Sequence, residues 1–363
     1  MTNIVSAVLF IFFLIGSCTF HGIIVGAGSN IIRVPQDYAT IQGAVNAANA
    51  GDTIMVSAGD YNEYIYVNKS LKIIGEGAES TVVHTIEDGY TFEVQADDVT
   101  ISGFTIHHVV VSCVYLYNSN RCNISYNVMD GTWYTIGLFN SSHNFIGDNE
   151  ITPTSNGVGI SLLVSDNNVV AGNTVSGARE GVGIDIIGCD NLIENNHVFD
   201  CYGGIWPRGS PNTTIRGNTI EGIPSAMWVC GPLNRVYHNN FIHSQQIGGV
   251  EGNVWDNGVE GNYWDDYNGT DLNGDGVGDT FLPWRGVDYY PLMSPWHPIL
   301  GDLNDDGIVN ILDVVVVASC YGAKPNDSSW NPLADLAPPC GVIDILDIVT
   351  LTSHYGLAWW KST

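Results

Sequence analysis

Hydrophobic and polar positions over most of this 363-residue chain follow a repeat of about 22 residues. Its signature is the phrase Asn-x-apolar-x-x-Asn-x-apolar, seen most plainly in 144–151, 168–175 and 191–198. With looser copies included, the phrase starts at residues 99, 122, 144, 168, 191, 213 and 234. These starts are 21 to 24 residues apart, and so regular a period indicates one structural unit repeated along the chain.

Each copy contains short segments in which apolar and polar residues alternate, which is the period of a β-strand. A second alternating segment precedes the phrase, at residues 114–116, 136–138, 160–162, 184–186 and 227–229. A leucine-rich repeat would need a leucine ladder, and a propeller blade would need about 40 residues. The pattern therefore predicts an all-β parallel β-helix solenoid, in which coils stack about 4.8 Å apart with Ile, Val and Phe inside.

The repeated asparagines have an expected structural place in such a fold. Asn tolerates the left-handed backbone of tight turns, and its amide can hydrogen-bond the equivalent Asn of the next coil. We therefore interpret these residues as a ladder that supports the scaffold and not as ligands.

A solenoid must cover the open strand edges at both ends. Residues 34–49 predict one short N-terminal capping helix, with Asp37 as candidate N-cap and Ile41, Val45 and Ala48 on its apolar face. At the other end, an aromatic cluster is predicted to plug the last coil, a sugar-binding platform being the alternative. Its members are Trp255, Tyr263, Trp264, Tyr267, Trp284, Tyr289, Tyr290 and Trp296.

Three sequence features together resemble the pectin-lyase-like β-helix proteins of the NosD and carbohydrate-binding/sugar-hydrolysis type. They are the opening VPQDYATIQGAVNAANAGDTIMVSAGDY, the NxIxxN coils, and NYWDDYNGTDLNGDGVGDT followed by DYYPLMSPW. The resemblance covers roughly residues 31–297 and implies a right-handed parallel β-helix, which we assign to residues 29–297. It also implies polysaccharide binding or processing, or copper handling as in NosD.

A first calcium motif lies near the end of the β-helix, in residues 271–279. Oxygen-bearing side chains occupy positions 1, 3, 5 and 9 of this segment, a glycine allows the sharp turn at position 6, and a backbone carbonyl is available at position 7. The predicted ligands are Asp271, Asn273, Asp275, Val277 and Asp279. Because no acid stands at position 12, we expect a further carboxylate from Asp265 or Asp266.

Two further motifs lie in the C-terminal region, residues 298–363. Residues 302–313 place oxygens at positions 1, 3, 5, 9 and 12, and a helix is predicted over 314–321. Residues 335–347 repeat the frame with fewer acids, so we expect weaker Ca²⁺ binding there, and a helix is predicted over 348–355. The predicted ligands are Asp302, Asn304, Asp306, Ile308, Asn310 and Asp313 in one loop and Asp335, Asp344 and Asp347 in the other.

Two loop-helix units in tandem resemble a type I dockerin over residues 301–356, a small α-helical calcium-binding domain. The resemblance implies Ca²⁺-dependent docking to a cohesin-like partner through the residues just before the last ligand of each loop. These residues are Ile311, Leu312, Ile345 and Leu346, which in the alternative reading only pack the helices together. Since so small a module has little core, Ca²⁺ binding is expected to be coupled to its folding.

Cysteine usage adds one expectation for the C-terminal region. Of the eight cysteines in the chain, only Cys320 and Cys340 lie there. We predict a disulfide between them.

The chain carries 38 Asp and Glu against 11 Lys and Arg, a formal charge of −27. Such acidity repels nucleic acid and anionic membranes, so neither is expected as a partner. An apolar run at residues 4–16, followed by small residues, predicts a signal peptide within residues 1–28. The alternative is an uncleaved membrane anchor.

Export is also indicated by six Asn-x-Ser/Thr sequons, which are potential glycosylation sites. They lie at Asn68, Asn123, Asn140, Asn212, Asn268 and Asn326. We therefore expect an extracellular or cell-surface protein.

No motif marks a catalytic centre: the polygalacturonase pattern is absent, and so is the pectin methylesterase arrangement of paired aspartates with an arginine. The weak candidates for an acidic cleft are Asp185, Glu194 and Asp200, with Arg208 as a basic neighbour. They recur at related places in successive coils, which would line one face, and the alternative is ordinary turn and surface residues. An enzyme built on them would be a polysaccharide lyase or a glycoside hydrolase.

Three functional hypotheses result. The leading one is a secreted β-helix that binds polysaccharide, with processing as an open question, docked to a cohesin-like partner by a Ca²⁺-dependent module. The second is a non-catalytic surface-layer or adhesion component. The third is periplasmic copper handling, although no methionine-rich or cysteine-rich copper motif accompanies the scattered histidines.

Overall fold

The computed structural model describes residues 30–85, 89–107, 111–249, 251–297, 301–304, 308–324, 327, 329–331, 334–337 and 342–356. The predicted leader at residues 1–28 lies outside these ranges, as does the sequon residue Asn326. In the part that is described, no helix is long and apolar enough to cross a membrane.

The described chain contains short strands and three short helices. The strands are β1 (Ile31–Val34), β2 (Thr53–Val56), β3 (Gly59–Asn62), β4 (Ile65–Val67), β5 (Lys72–Gly75), β6 (Thr81–His84), β7 (Tyr90–Val94), β8 (Thr100–Ser102), β9 (Thr105–His107), β10 (Ser112–Tyr117), β11 (Asn123–Ser125), β12 (Val128–Asp130), β13 (Tyr134–Phe139), β14 (Phe145–Gly147), β15 (Glu150–Thr152), β16 (Val158–Leu163), β17 (Val169–Ala171), β18 (Thr174–Ser176), β19 (Val182–Ile187), β20 (Leu192–Glu194), β21 (His197–Phe199), β22 (Gly203–Pro207), β23 (Thr214–Arg216), β24 (Thr219–Glu221), β25 (Ser225–Trp228), β26 (Arg235–Tyr237), β27 (Asn240–Ile242), β28 (Gln246–Gly248) and β29 (Tyr263–Trp264). The helices are α1 (Ile41–Ala47), α2 (Ile311–Ser319) and α3 (Ile345–Ser353).

The strands form three parallel sheets, and each regular coil gives one strand to each sheet. Sheet A runs β1-β2-β5-β8-β11-β14-β17-β20-β23-β26, sheet B runs β3-β6-β9-β12-β15-β18-β21-β24-β27-β29, and sheet C runs β4-β7-β10-β13-β16-β19-β22-β25-β28. The predicted parallel β-helix is therefore confirmed.

The core consists of inward columns in which equivalent residues of successive coils stack in register. On sheet A one such column is Ile101, Ile124, Ile146, Val170, Ile193, Ile215 and Val236, all fully buried. Since side chains alternate across a strand, each inward residue leaves its neighbours pointing outward. The outward columns are thus as regular as the core, and they form the surface on which a site can be built.

The second asparagine of the repeat forms the expected ladder. Each buried side chain donates from Nδ2 to the Oδ1 of the equivalent residue in the next coil, at 2.9 to 3.2 Å. Its members are Asn127, Asn149, Asn173, Asn196, Asn218, Asn239 and Asn262. A shorter ladder links Asn144, Asn168 and Asn191.

One detail of the asparagine prediction is wrong: the ladder residues do not carry the left-handed backbone. The residue just before a ladder asparagine does, with φ between 53° and 68° at six successive turns. These residues are Tyr126, Asp148, Gly172, Asn195, Gly217 and His238. The left-handed backbone thus belongs to one residue, and the amide hydrogen bonds belong to the asparagine that follows it.

The N-terminal cap is the helix α1, and Ile41, Val45 and Ala48 are buried as expected. Its N-cap is Thr40, whose Oγ1 accepts a hydrogen bond from Gly43 N at 3.0 Å. The prediction of Asp37 as N-cap is wrong, because Asp37 Oδ2 instead accepts from Arg33 N in the preceding turn, at 2.7 Å.

Part of the aromatic cluster plugs the last coil, whereas Tyr289 and Tyr290 are 57% and 37% exposed. Trp255 and Trp264 are buried, and the Trp264 ring stacks on Phe241 with centroids 4.1 Å apart. The buried Asp288 ends the long ladder by accepting hydrogen bonds from Asn262 N and Trp264 Nε1, both at 2.8 Å. Burial raises the pKa of Asp288 to about 6, although these hydrogen bonds act in the opposite direction.

The C-terminal region contains α2 and α3, which share a small core of their own. Its fully buried side chains include Val309, Val317, Ile343 and Leu351. Both helices begin three residues earlier than predicted. Asn310 and Asp344 are their N-caps, and in each helix an aspartate three residues later completes a capping box.

Candidate functional site

The outer face of sheet C contains a trough. One outward column of this face is formed by Tyr115, Gly137, Ser161 and Asp185, which lie side by side on β10, β13, β16 and β19. Because Gly137 and Ser161 are small, the surface dips between an aromatic ring at one end and a carboxylate at the other. Four strands spaced about 4.8 Å apart give the dip a length of about 14 Å.

A glycine in the floor of this trough lies close under an aromatic ring. The Tyr115 ring leans over Gly137 so closely that a Cβ at that position would lie 3.0 Å from Tyr115 Cδ2. A side chain there would fill the dip and would require the ring to shift by a few tenths of an ångström. The small size of Gly137 therefore sets the shape of the site.

Two flanking columns form the walls of the trough. On one side are Phe139, Leu163 and Ile187, and on the other are Ser112 and Tyr134. The enclosed volume is about 340 Å³, within the range of small-molecule sites.

Stacked rings rigidify the aromatic end. The Tyr90 and Tyr115 rings stack with centroids 4.4 Å apart, and Tyr117 stacks on Phe139 at 5.7 Å. Burial raises the pKa of Tyr90 and Tyr115 above the usual tyrosine value, so both phenols stay protonated at neutral pH.

The polar end of the trough is an ion pair between Asp185 and Arg208. Arg208 Nε donates to Asp185 Oδ1 at 2.7 Å, and Arg208 Nη2 donates to Asp185 Oδ2 at 2.5 Å. Asp185 is only 7% exposed, whereas about half of the Arg208 side chain faces solvent. The hydrogen bonds to Asp185 raise the pKa of the Arg208 guanidinium above its usual value, so the guanidinium stays charged.

The other catalytic candidates lie elsewhere on the solenoid. Glu194 ends a strand of sheet A and accepts from Arg216 Nε at 2.9 Å. Asp200 follows a strand of sheet B and pairs with Arg179 at 2.9 Å. The expectation that Asp185, Glu194 and Asp200 line one face is therefore wrong.

Sequence reasoning missed the floor of the trough, although a signal for it was present. In the alternating triplets at residues 114–116, 136–138, 160–162 and 184–186, only the apolar first and third residues were used for the prediction. Their middle positions are the outward column, so the order Tyr, Gly, Ser, Asp already described a dip between a ring and an acid.

The first calcium motif is a tightly turned loop. Asp271 accepts three backbone N–H bonds, from Asn273 and Gly274 at Oδ1 and from Gly276 at Oδ2. These bonds hold the pKa of Asp271 below its usual value, and the bond from Gly276 N has the largest effect. Asp275 Oδ1 accepts from Val277 N at 3.0 Å. The backbone therefore wraps around the carboxylates at positions 1 and 5, and Ca²⁺ binding by this loop stays a prediction.

The additional ligands expected for this loop have other partners. Asp265 Oδ2 accepts from His243 N, and Asp266 Oδ2 accepts from Arg285 Nη2, both at 2.7 Å. Asp279 Oδ2 accepts from Leu272 N at 2.6 Å. Over the described ranges, no three His, Cys, Asp or Glu side chains are grouped as metal ligands.

The last predicted ligand of each C-terminal loop ties the loop to the start of the following helix. Asp313 is buried and accepts from Leu303 N at 2.7 Å and from Asn310 N at 2.8 Å. Asp347 repeats this pattern with Leu336 N and Asp344 N, both at 2.7 Å. The two loops therefore share one architecture despite their different acid content.

Two predicted residues of this region cannot be placed. Asp306 and Cys340 lie outside the described residues. Cys320 is a buried thiol whose Sγ donates to Val316 O at 3.1 Å, and the disulfide with Cys340 stays a prediction.

The predicted partner-binding residues are exposed. Ile311, Leu312, Ile345 and Leu346 are between 45% and 59% exposed. About half of each side chain is therefore accessible to a partner, and the partner-binding role stays a prediction.

Fold and surface together define the class of protein: a three-sheet parallel β-helix with an open, ligand-sized trough on one sheet. The chain belongs to the NosD family, since the family model described as periplasmic copper-binding protein (NosD) matches residues 45–269. Membership supports the expected right-handed, pectin-lyase-like β-helix.

Solved structures are similar at low sequence identity. An alginate lyase from Paenibacillus sp. str. FPU-7 is 16% identical, with 64% of this chain and 97% of that chain covered and a TM-score of 0.47. A pectin methylesterase from carrot is 14% identical, with 63% and 86% covered and a TM-score of 0.44. A comparison with curated proteins gives no match.

Proposed function

We propose that this chain is a saccharide-binding β-helix protein that acts outside the cytoplasm and holds its ligand in the trough of sheet C. The observation that carries the proposal is the trough itself, with an aromatic end, aliphatic walls and one ion pair around about 340 Å³. Its location is supported by the family description, which names a periplasmic protein.

The chemistry of the trough matches that of a sugar ring. A pyranose has apolar C–H faces and a rim of hydroxyl groups, so it needs aromatic surface together with a few fixed polar groups. Tyr115 and Phe139 supply the aromatic surface, while the hydroxyls of Ser161 and Tyr134 and the Arg208 guanidinium supply polar contacts.

Binding without turnover is the form of this function that the site supports. Glycoside hydrolysis requires two carboxyl groups on opposite sides of the scissile bond. Among the described residues that line the trough, Asp185 is the single carboxylate, and both of its oxygens are held by Arg208. We therefore favour a non-catalytic surface or adhesion role over glycoside hydrolysis.

Filling the trough tests the proposal. The Ser161→Trp substitution places an indole on the trough floor, where it fills the space that a ligand would occupy. We therefore expect the affinity for a panel of soluble oligosaccharides to fall by at least about tenfold. Calorimetric titration of wild type and variant measures this.

Ser176→Trp is the matched control, because it places the same side chain at an outward position on sheet B. Equal binding by wild type and both variants would refute the trough as the site. Failure of the wild type to bind any saccharide would refute the function.

The C-terminal module is proposed to dock the protein to a partner in a Ca²⁺-dependent manner, with a cohesin-like domain as the partner. Support comes from two equivalent exposed apolar pairs, Ile311 with Leu312 and Ile345 with Leu346. Each pair is followed on its helix by an exposed valine at the equivalent position. These residues are Val315 and Val349, and both are more than half exposed. A single partner surface would then fit either helix.

Copper binding is the second candidate, because the family description names it and one surface feature favours it. His84 and His107 are in-register neighbours on sheet B. Their Nδ1 atoms contact Asp60 at 2.9 Å and Asp130 at 2.7 Å, which leaves both Nε2 atoms available to a metal. A Cu²⁺ titration of wild type and His107→Gln decides this: binding lost in the variant would favour copper handling.

A further inference from the structure

The charge balance of the trough indicates which saccharides it takes, an inference that rests on the proposed function. Arginine recognises carboxylates through two parallel N–H bonds from one edge of its guanidinium. In Arg208 that edge is already occupied, because Nε and Nη2 both donate to Asp185. A uronate carboxylate would meet a neutral pair in place of a free cation.

The other groups around the trough offer an acidic sugar no compensation. Of the described residues that line it, Arg208 is the single Lys, Arg or His. The neighbour of Tyr115 on the adjacent strand is Glu93, which extends the outward column with a further negative charge. The chain as a whole has a formal charge of −27, which repels a polyanionic ligand before contact.

The ion pair also cannot rearrange at low cost to admit a uronate. Asp185 is 7% exposed, so releasing Arg208 would leave a nearly buried carboxylate without its cation. The guanidinium is further held over the Trp206 ring, 5.9 Å from its centroid. The pair therefore presents its remaining N–H groups to neutral hydroxyls.

We propose that the trough binds neutral saccharides and excludes uronates, and that Asp185 determines this specificity by neutralising Arg208 and occupying its Nε–Nη2 edge. Asp185 acts through Arg208 and is a specificity-determining, positioning residue. Neutral hydroxyl-rich chains are the ligand class, and polyuronates are the class that is rejected.

Asp185→Asn tests the proposal, because it keeps the size of the side chain and removes its charge. Wild type is expected to bind neutral oligosaccharides and not oligouronates of equal length. The variant frees the charge of Arg208 and is expected to gain oligouronate affinity by about tenfold to a hundredfold, the size of a charge-assisted hydrogen-bonded pair. Calorimetric titrations at low and high salt measure the affinities of wild type and variant for both ligand classes. The gain in oligouronate affinity should be smaller at high salt.

Asp200→Asn is the matched control, since it frees another arginine, Arg179, from an aspartate outside the trough. It should leave both affinities unchanged, and an equal oligouronate gain in both variants would assign the effect to overall charge and overturn the role of Asp185.

Wild type that prefers oligouronates would overturn the inference but leave saccharide binding intact. Wild type that binds neither class would overturn both. If Asp185→Asn does not fold, the wild-type preference alone decides.

Discussion

Removing Ca²⁺ with EDTA is expected to unfold the C-terminal module while the β-helix stays folded. The module has a core of only a few side chains, whereas the solenoid core extends through every coil. Six ligands are predicted from the spacing in the loop of residues 302–313, and carboxylates brought together there would repel one another without a cation. An ion that binds only the folded form stabilises it by about 4 kcal/mol at a thousandfold excess over its Kd, a large share of the stability of so small a unit.

Hydrogen exchange of the full chain, followed by mass spectrometry with and without EDTA, measures this directly. Peptides from Ile311–Ser319 and Ile345–Ser353 should lose protection in chelator, and peptides from the coils should not. Asp313→Ala should have the same effect in the presence of Ca²⁺, while Asp327→Ala, in the segment between the helices, should not. Helices that keep their protection in EDTA would refute the calcium proposal for this module.

Asn196→Ala is expected to destabilise the β-helix by about 3–5 kcal/mol, because buried groups on both neighbouring coils lose their partners. Asn196 Oδ1 accepts from Asn173 N at 3.0 Å and Nδ2 at 2.9 Å. Its Nδ2 donates to Val170 O at 2.8 Å and to Asn218 Oδ1 at 2.9 Å. Alanine restores none of these bonds, and water has no access to a residue that is 1% exposed.

Urea unfolding of wild type and variant gives the loss, and the exposed Asn156 supplies the control. Asn156→Ala should change the free energy of unfolding by no more than about 0.5 kcal/mol. If the two substitutions cost the same, the ladder does not carry the stability assigned to it.

The solenoid could be predicted because its information is local and repeated. The position of Ile193 holds Ile or Val in every copy, and the position of Asn196 holds Asn in every copy but the first, so one period with one alternation fixes both the inward column and the ladder. The strained residue before each ladder asparagine could not be predicted in the same way. It varies from Tyr126 to Gly172, since a left-handed turn sets a backbone angle and no side-chain type.

The trough could not be predicted from any single copy, because its shape depends on side-chain size in four coils at once. Gly137 opens space only because Tyr115 precedes it and Ser161 follows it in the outward column. The helix starts were missed for a related reason: Asn310 and Asp313 were assigned as ligands, and the same side chains also form a capping box. The spacing pattern indicated only the predicted ligand role of these side chains and not their role as helix caps.

Hydroxyl-radical footprinting of the full chain with a saturating neutral oligosaccharide tests the central claim most directly. We expect the ligand to protect Tyr115, Tyr134 and Phe139 in the trough. Tyr126, which is 64% exposed and lies outside the trough, should react equally with and without ligand. Unchanged reactivity at the three trough residues, or protection confined to Tyr126, would contradict saccharide binding on sheet C.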